Sequence, residues 1–210
     1  YTTIAVKAEN FIANLYTSGK VLIQGAGTEE FVKFVLEPQI TGEANVSILS
    51  EDVIVTRDDM GVPHIDAKSD EDMYRAQGYV QAQDRLFQMD LSRRQASGRL
   101  AEVIGESAVS TDKFFRTFSL RNAAEMSWDG YDAESKQILE WFAEGVNAFM
   151  DEVKGTSKLT FEFKLLGYEP EPWTAIDSLT IGKFMAYDLG GNWNLQAFRH
   201  WAVQNYSAEE

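Results

Sequence analysis

With two histidines and no cysteine, the sequence holds few of the groups that hydrolytic chemistry uses. Such chemistry needs a nucleophile, a base and donors for an oxyanion, and no serine, histidine and carboxylate stand at a spacing that would assemble them. His64 falls between Pro63 and Ile65 in a stretch that reads as a hairpin, so a structural hydrogen bond is its expected role. His200, beside Arg199 and Trp201, reads as a helix-surface residue. The serines stand where they would cap helices. Without cysteine there is no disulfide, thiolate metal site or thiol nucleophile, and no metal-ligand spacing stands out, although the carboxylates allow weak oxygen-ligand sites.

The densest chemistry is Asp84, Arg85, Asp90, Arg93 and Arg94, set among apolar residues in GYVQAQDRLFQMDLSRR. Two readings fit. One is a solvated helix face with ion pairs three and four residues apart. The other is a partly buried charge network that fixes the helix beside a site, which is costly unless every charge is paired. On the second reading Asp84 and Arg85 are the pair expected to matter for folding.

These charges need a frame. In VIVTRDDMGVPHIDA the β-formers Val53, Ile54 and Val55, then Val62 and Ile65, flank Asp58-Asp59-Met60-Gly61, which predicts a hairpin with Gly61 at positive φ. Ser69 before Asp70, Glu71 and Asp72 predicts a helix start, because a side-chain oxygen and three carboxylates meet unpaired N–H groups there. Met73, Ala76, Tyr79, Val80, Leu86, Phe87, Met89 and Leu91 then give that helix an apolar face. Ser110-Thr111-Asp112 is predicted to cap a helix bearing Phe114, Phe115 and Phe118, which read as core, and residues 119–128 continue in helical character. Asp132 caps the clearest helix, in which Ile138, Leu139, Trp141, Phe142, Val146, Phe149, Met150 and Val153 recur at helical spacing. It ends near Lys154-Gly155.

Phe161, Phe163, Leu165 and Leu166 lead into an extended turn through Gly167, Pro170 and Pro172 that ends at Trp173. Thr174 or Asp177 is predicted to cap a further helix over residues 178–189. That helix breaks at Gly190-Gly191, where a chain can kink or bring backbone to a ligand, making this a second candidate site. Residues 1–48 read as a separate structural extension: strands in TIAVKA and FIANLYTSGKVLIQGAG, a short helix in TEEFVKFVLE capped by Thr28, and a linker over residues 38–47. Residues 49–210 form the main region. The fold class expected is α+β, mostly helical, with an N-terminal β-hairpin and helix segment.

The runs RDDMGVPHI (residues 57–65), GYVQAQDRLFQMDLSRR (78–94) and GRLAEVIG (98–105) closely resemble the α chain of the penicillin acylase family, amidases of the N-terminal-nucleophile hydrolase class. The resemblance continues in order through DKFFRTFSLRNAAE (112–125), FAEGVNAFMDE (142–152), LLGYEPEPWT (165–174) and DSLTIGKFMAYDLGGNW (177–193). Such a series is far more specific than a single short motif.

The resemblance implies a helical α chain of an αββα sandwich, cut from a self-cleaving precursor. It places the nucleophile, and the amino group that serves as its base, at the N-terminus of a β chain, together with the oxyanion donors. This chain, which begins at Tyr1, is therefore expected to hold no catalytic residue. Its expected share is the acyl pocket and one calcium ligand, for a small N-acyl amide substrate such as a β-lactam antibiotic. The family's pocket methionine matches Met185, and its aromatic-bearing pair a turn later falls at Asp188 and Leu189, a departure that weakens an aryl-acetyl preference. The calcium glutamate falls at Asn194, with Leu195 or Gln196 under a one-residue slip; none is a carboxylate. No organic cofactor is expected. Alternatives are a subunit of an acyl-homoserine-lactone or other N-acyl amine acylase, or a non-enzymatic helical binding module of this fold.

Composition limits the partners. Hydrophobic residues make up 44%, enough for a substantial core, and the net charge is −14, from 33 acidic and 19 basic residues. Nucleic acid and anionic membrane surfaces are not expected partners of so acidic a chain. No apolar run is long enough to span a bilayer. The resemblance implies export, to the periplasm or outside the cell, with a signal already removed.

Overall fold

The computed structural model describes residues 46–207 in full and, ahead of them, the backbone of three strands. These strands, β1 (Thr2–Lys7), β2 (Ile12–Tyr16) and β3 (Val21–Gln24), form an antiparallel sheet in the order β1-β2-β3. Ile12 pairs with Lys7 on one side and with Gln24 on the other. They belong to one compact unit, Tyr1–Asn45, and Val46–Glu210 forms a second. The helix expected at residues 28–37 and most of the linker expected at 38–47 lie outside the described residues.

In the second unit β4 (Ile54–Arg57) and β5 (Pro63–Asp66) pair as the expected hairpin, Val55 opposite Ile65. Its tip is held by Asp58, whose Oδ1 accepts the N–H groups of Met60 and Val62, both at 2.9 Å, while Gly61 takes φ 77°. The carboxyl of Asp58 is held below its usual range, chiefly by the Val62 N–H and then by His64, whose Nε2 is 3.3 Å away. His64 thus has the structural contact its position predicted.

Helix α1 (Asp70–Ala96) starts where Ser69 accepts the Asp72 N–H. Asp72 is buried because its carboxylate turns back to accept the N–H groups of Ser50 and Glu51 at 2.9 and 3.2 Å, which fixes the chain's approach to the hairpin. The backbone of α1 leaves helical geometry at Arg85 (φ −141°, ψ 18°). After it come α2 (Ala101–Ile104), a 3₁₀ turn, α3 (Val109–Phe118) and α4 (Leu120–Trp128). Ser119, at φ 63°, is the left-handed residue that separates α3 from α4, where the sequence had read continuous helical character.

The cap expected at Ser110-Thr111-Asp112 is not there: α3 begins at Val109 with no side-chain cap. Asp112 instead reaches across to α2, accepting the N–H groups of Leu100 and Ala101, each at 2.8 Å. A buried carboxylate at the start of a neighbouring helix satisfies donors that sequence order alone would not connect to it.

Helix α5 (Ala133–Val153) is capped by Asp132, as expected, and packs along α1. Glycines let the two helices approach. A Cβ at Gly145 would lie 2.8 Å from the Arg75 carbonyl carbon and closer still to its oxygen, and one at Gly78 would meet the backbone of Phe142 in the same way. Around this crossing lies the core: Tyr79, Leu86, Val146, Phe149 and Val153, closed by Phe163 of α6 (Phe161–Leu166) and by Trp173. Tyr79 meets Phe149 edge-on at 5.4 Å, and its hydroxyl donates to Glu152. Burial pushes the Tyr79 phenol well above its usual range.

Helix α7 (Ala175–Gly190) opens with a capping box of Thr174 and Asp177 and closes at Gly191, at φ 34°. It begins three residues earlier than expected because Thr174 is the cap and Asp177 its third-position partner. After the break runs α8 (Trp193–Asn205), which buries none of its residues. No helix among the described residues is long and apolar enough to cross a membrane.

Candidate functional site

The last three turns of α7, all of α8 and one side of α3 carry apolar side chains that nothing among the described residues covers. Met185 is 47% exposed, Leu189 78%, Phe198 59% and Trp201 48%. Burying a side chain of this size yields about 1.5–3 kcal/mol, so a face of several left bare marks a place where another surface belongs. Aromatic rings join the three helices: Phe118 lies 4.8 Å from Tyr187 and 5.5 Å from Trp193, and Phe114 stacks on Phe118 at 5.7 Å. Of the three phenylalanines expected in the core only Phe115 is buried, against Phe184 at 5.5 Å. Phe114 and Phe118 instead line the open face, because α3 turns only one side toward the core.

The spacing of Met185, Asp188 and Leu189 puts them on one side of the exposed end of α7. Asn194 lies past the Gly191 turn, in the first turn of α8, and its Oδ1 accepts the Leu195 N–H at 2.8 Å. That engaged amide carries no charge, and among the described residues no group of three or more histidines, aspartates or glutamates could hold a metal ion. Among the described residues Asn194 therefore offers a calcium ion no charge and has no carboxylate cluster beside it.

What fixes α7 is a charge network in the interior. Asp90, Arg93 and Arg94 are only 1%, 5% and 4% exposed. Arg93 donates to Asp90 Oδ1 from Nε at 2.9 Å and Nη2 at 2.6 Å, and Arg94 Nε donates to Oδ2 at 2.8 Å, where the Tyr168 hydroxyl also donates at 2.8 Å. Arg93 further donates to the carbonyls of Glu171 and Pro172 and lies 5.1 Å from the Trp173 ring centre, clamping the turn that leads into α7. Asp177, inside the first turn of α7, accepts from Thr174 N–H and Oγ1, both at 2.8 Å, and from Arg121 of α4 at 2.5 Å. Burial, then Asp90, pushes the Tyr168 phenol above its usual range, while the hydrogen bond from Arg99 holds Glu171 below its own.

The structure thus selects the buried-network reading for Asp90, Arg93 and Arg94, but not for Asp84 and Arg85, the pair singled out for folding. Asp84 and Arg85 are exposed. Asp84 pairs with Arg57 on the hairpin, through Nη1 at 2.9 Å and Nη2 at 2.8 Å, and not with Arg85. The helix turns these two side chains outward and the Asp90 group inward. The i,i+3 and i,i+4 spacing of Asp90 with Arg93 and Arg94 was a visible signal; its link to Tyr168, Asp177 and Arg121 was not. His200 is exposed on α8, as expected.

A family model described as penicillin amidase matches residues 52–210. The chain belongs to the penicillin amidase family. It is 38% identical over 166 residues to a penicillin acylase 2 proenzyme of Pseudomonas sp. (strain SE83), covering 79% of this chain and 20% of that protein. It is 35% identical over 155 residues to an acyl-homoserine lactone acylase of Pseudomonas aeruginosa, covering 74% of this chain and 18% of that protein. A chain of the thermostable penicillin G acylase from Alcaligenes faecalis, solved in a tetragonal form, is similar with a TM-score of 0.62 and 30% identity, over 75% of this chain and 86% of that one. The chain thus spans about a fifth of the length of these curated relatives, yet matches most of one chain of a solved penicillin amidase. The α+β, mostly helical architecture is that of this penicillin amidase chain.

Proposed function

We propose that this chain is the α-subunit portion of a penicillin-acylase-like amidohydrolase, working with a β chain cut from the same precursor. The observation that carries this reading is the uncovered apolar face of α7 and α8, on a chain of this family that lacks a nucleophile–base pair among the described residues. On that face Met185 and Leu189 would line the acyl side of the substrate cleft, with Asp188 at its edge. The β chain would supply the nucleophile, base and oxyanion donors. This chain's part is then differential binding of the acyl group, through a helix held by the network in which Arg93 joins Asp90 to Asp177, whose Oδ2 lies 3.5 Å from its Nη1.

The isolated chain is expected to hydrolyse no N-acyl anilide, and the enzyme processed from the whole precursor to hydrolyse several. Comparable turnover by the isolated chain would end the subunit reading. For the pocket, Met185→Ala in the processed enzyme is expected to change the ratio of kcat/KM between aryl and aliphatic acyl anilides by about tenfold or more, since one methylene in an apolar pocket is worth about 1–3 kcal/mol. An unchanged ratio together with a lower melting temperature would make Met185 a packing residue.

A second reading has a specific observation behind it. The similarity to an acyl-homoserine lactone acylase, with Asp188 and Leu189 where the resemblance implied an aromatic-bearing pair, favours an aliphatic acyl chain over an aryl-acetyl group. The same anilide panel, extended to N-acyl-homoserine lactones, decides between them.

A further inference from the structure

Between the β4–β5 hairpin and α1 lies an open groove of about 420 Å³, with Pro63, Ile65 and Met73 among its apolar walls and Gln77, Gln81 and Arg85 among its polar ones. Arg85 stands out there. It is exposed, and no hydrogen bond or ion pair joins its guanidinium to another of the described residues. In a chain of net charge −14 this isolation needs a reason.

The sequence around it withholds partners. Positions three and four residues away hold Gln81, Ala82, Gln88 and Met89, none of them a carboxylate. The adjacent Asp84 has both oxygens taken by Arg57, at 2.8 and 2.9 Å. Arg57 also donates to Gln83 at 3.0 Å, so the hairpin binds the carboxylate beside the groove and leaves the guanidinium inside it. Arg85 is also where α1 departs from helical φ and ψ.

We propose that this groove is a docking surface for the β chain, and that a carboxylate of that chain pairs with Arg85 while flanking apolar residues cover Pro63, Ile65 and Met73. This rests on the subunit reading given above. A planar guanidinium with open donors matches a carboxylate bidentately, and the Gln77 and Gln81 amides supply further donors to the same anion or to its backbone. The amount of polypeptide available is large, because this chain spans only 20% of the penicillin acylase proenzyme it matches. The apolar walls gain from cover, and the cation gains most from a partner that excludes water.

The test uses the processed enzyme. With Arg85→p-benzoylphenylalanine, irradiation is expected to join the two chains, the linked β peptide containing aspartate or glutamate. In parallel, subunit separation in urea is compared among Arg85→Glu, Arg85→Lys and Lys154→Glu, the last an exposed lysine at the far end of α5. Arg85→Glu is expected to weaken association about thirty-fold or more, Arg85→Lys by less than tenfold and Lys154→Glu not at all. Cross-linking only to a second copy of this chain, no cross-link in an active enzyme, or equal separation of the three variants would overturn the groove assignment and leave the subunit reading standing. A precursor that never yields two chains would overturn both.

Discussion

Asp90→Ala is expected to destabilise the protein by about 3–5 kcal/mol, because it leaves Arg93 and Arg94 charged and buried without their shared counter-ion. Both guanidinium groups are in contact with it at 2.6 to 2.9 Å. Of their other partners, the carbonyls of Glu171 and Pro172 are neutral; the carboxylates that remain are Glu102 and Glu171, both in exposed residues, and Asp177, which lies farther from Arg93 at 3.5 Å and is already engaged by Arg121. The comparison variant is Asp84→Ala, whose pair with Arg57 is partly exposed and is expected to contribute about 0–1 kcal/mol. Urea unfolding of the assembled protein measures both. Equal losses would mean that burial does not separate the two sites, and the Asp90 network would then have no special role in holding α7. Tyr168→Phe, which removes one hydrogen bond to Asp90, should cost about 0.5–1.5 kcal/mol.

The second large effect concerns volume rather than charge. Gly145→Ala adds a single methyl group, and it would collide with the Arg75 carbonyl on the opposite helix. Backbone cannot move aside as a flexible side chain can, so α1 and α5 must separate along their crossing and loosen Tyr79, Val146 and Phe149. Overpacking of this kind costs about 1–3 kcal/mol, occasionally more, and here the upper end is expected because the obstacle is backbone on both sides. Gly182→Ala serves as the control, since its added methyl meets nothing and an exposed helical alanine is favoured over glycine by about 1 kcal/mol. If Gly145→Ala unfolds at the same urea concentration as the parent, the close approach of the two helices is not a constraint.

Much of the fold was legible in local sequence, and for identifiable reasons. Ser69, Asp132 and Thr174 each stand immediately before an apolar-periodic run, and each caps the helix it precedes. Gly61 adopts the positive φ for which it was singled out, and α7 closes at Gly191, where the sequence placed a break. What misled was action at a distance. Asp112 looked like a cap for its own helix and serves another, a choice made by packing between α2 and α3. The charge-rich helix holds the expected buried network at Asp90, Arg93 and Arg94 but not at Asp84 and Arg85, because α1 buries the side bearing Asp90 and turns the other two outward. The glycines at positions 78 and 145 gave no signal at all, since a glycine inside a helix shows its purpose only when the opposing backbone is known.

The candidate site was legible only through its resemblance to a family. Nothing in the spacing of Met185, Asp188 and Leu189 distinguishes a pocket from a packed core, and their exposure on α7 shows that nothing among the described residues covers them.

That exposure has a consequence for timing. Helix α8 is tied back chiefly through Trp193, which touches Phe118 and Phe114, and it buries none of its own residues. An isolated helix of its 13 residues is marginal in water. Its amide protons therefore open to solvent exchange without disturbing α1 and α5, whose amides are released only by unfolding of the core. A surface that closed over α8 would slow this exchange, so protection of its amides is a direct reading of whether the helix is covered.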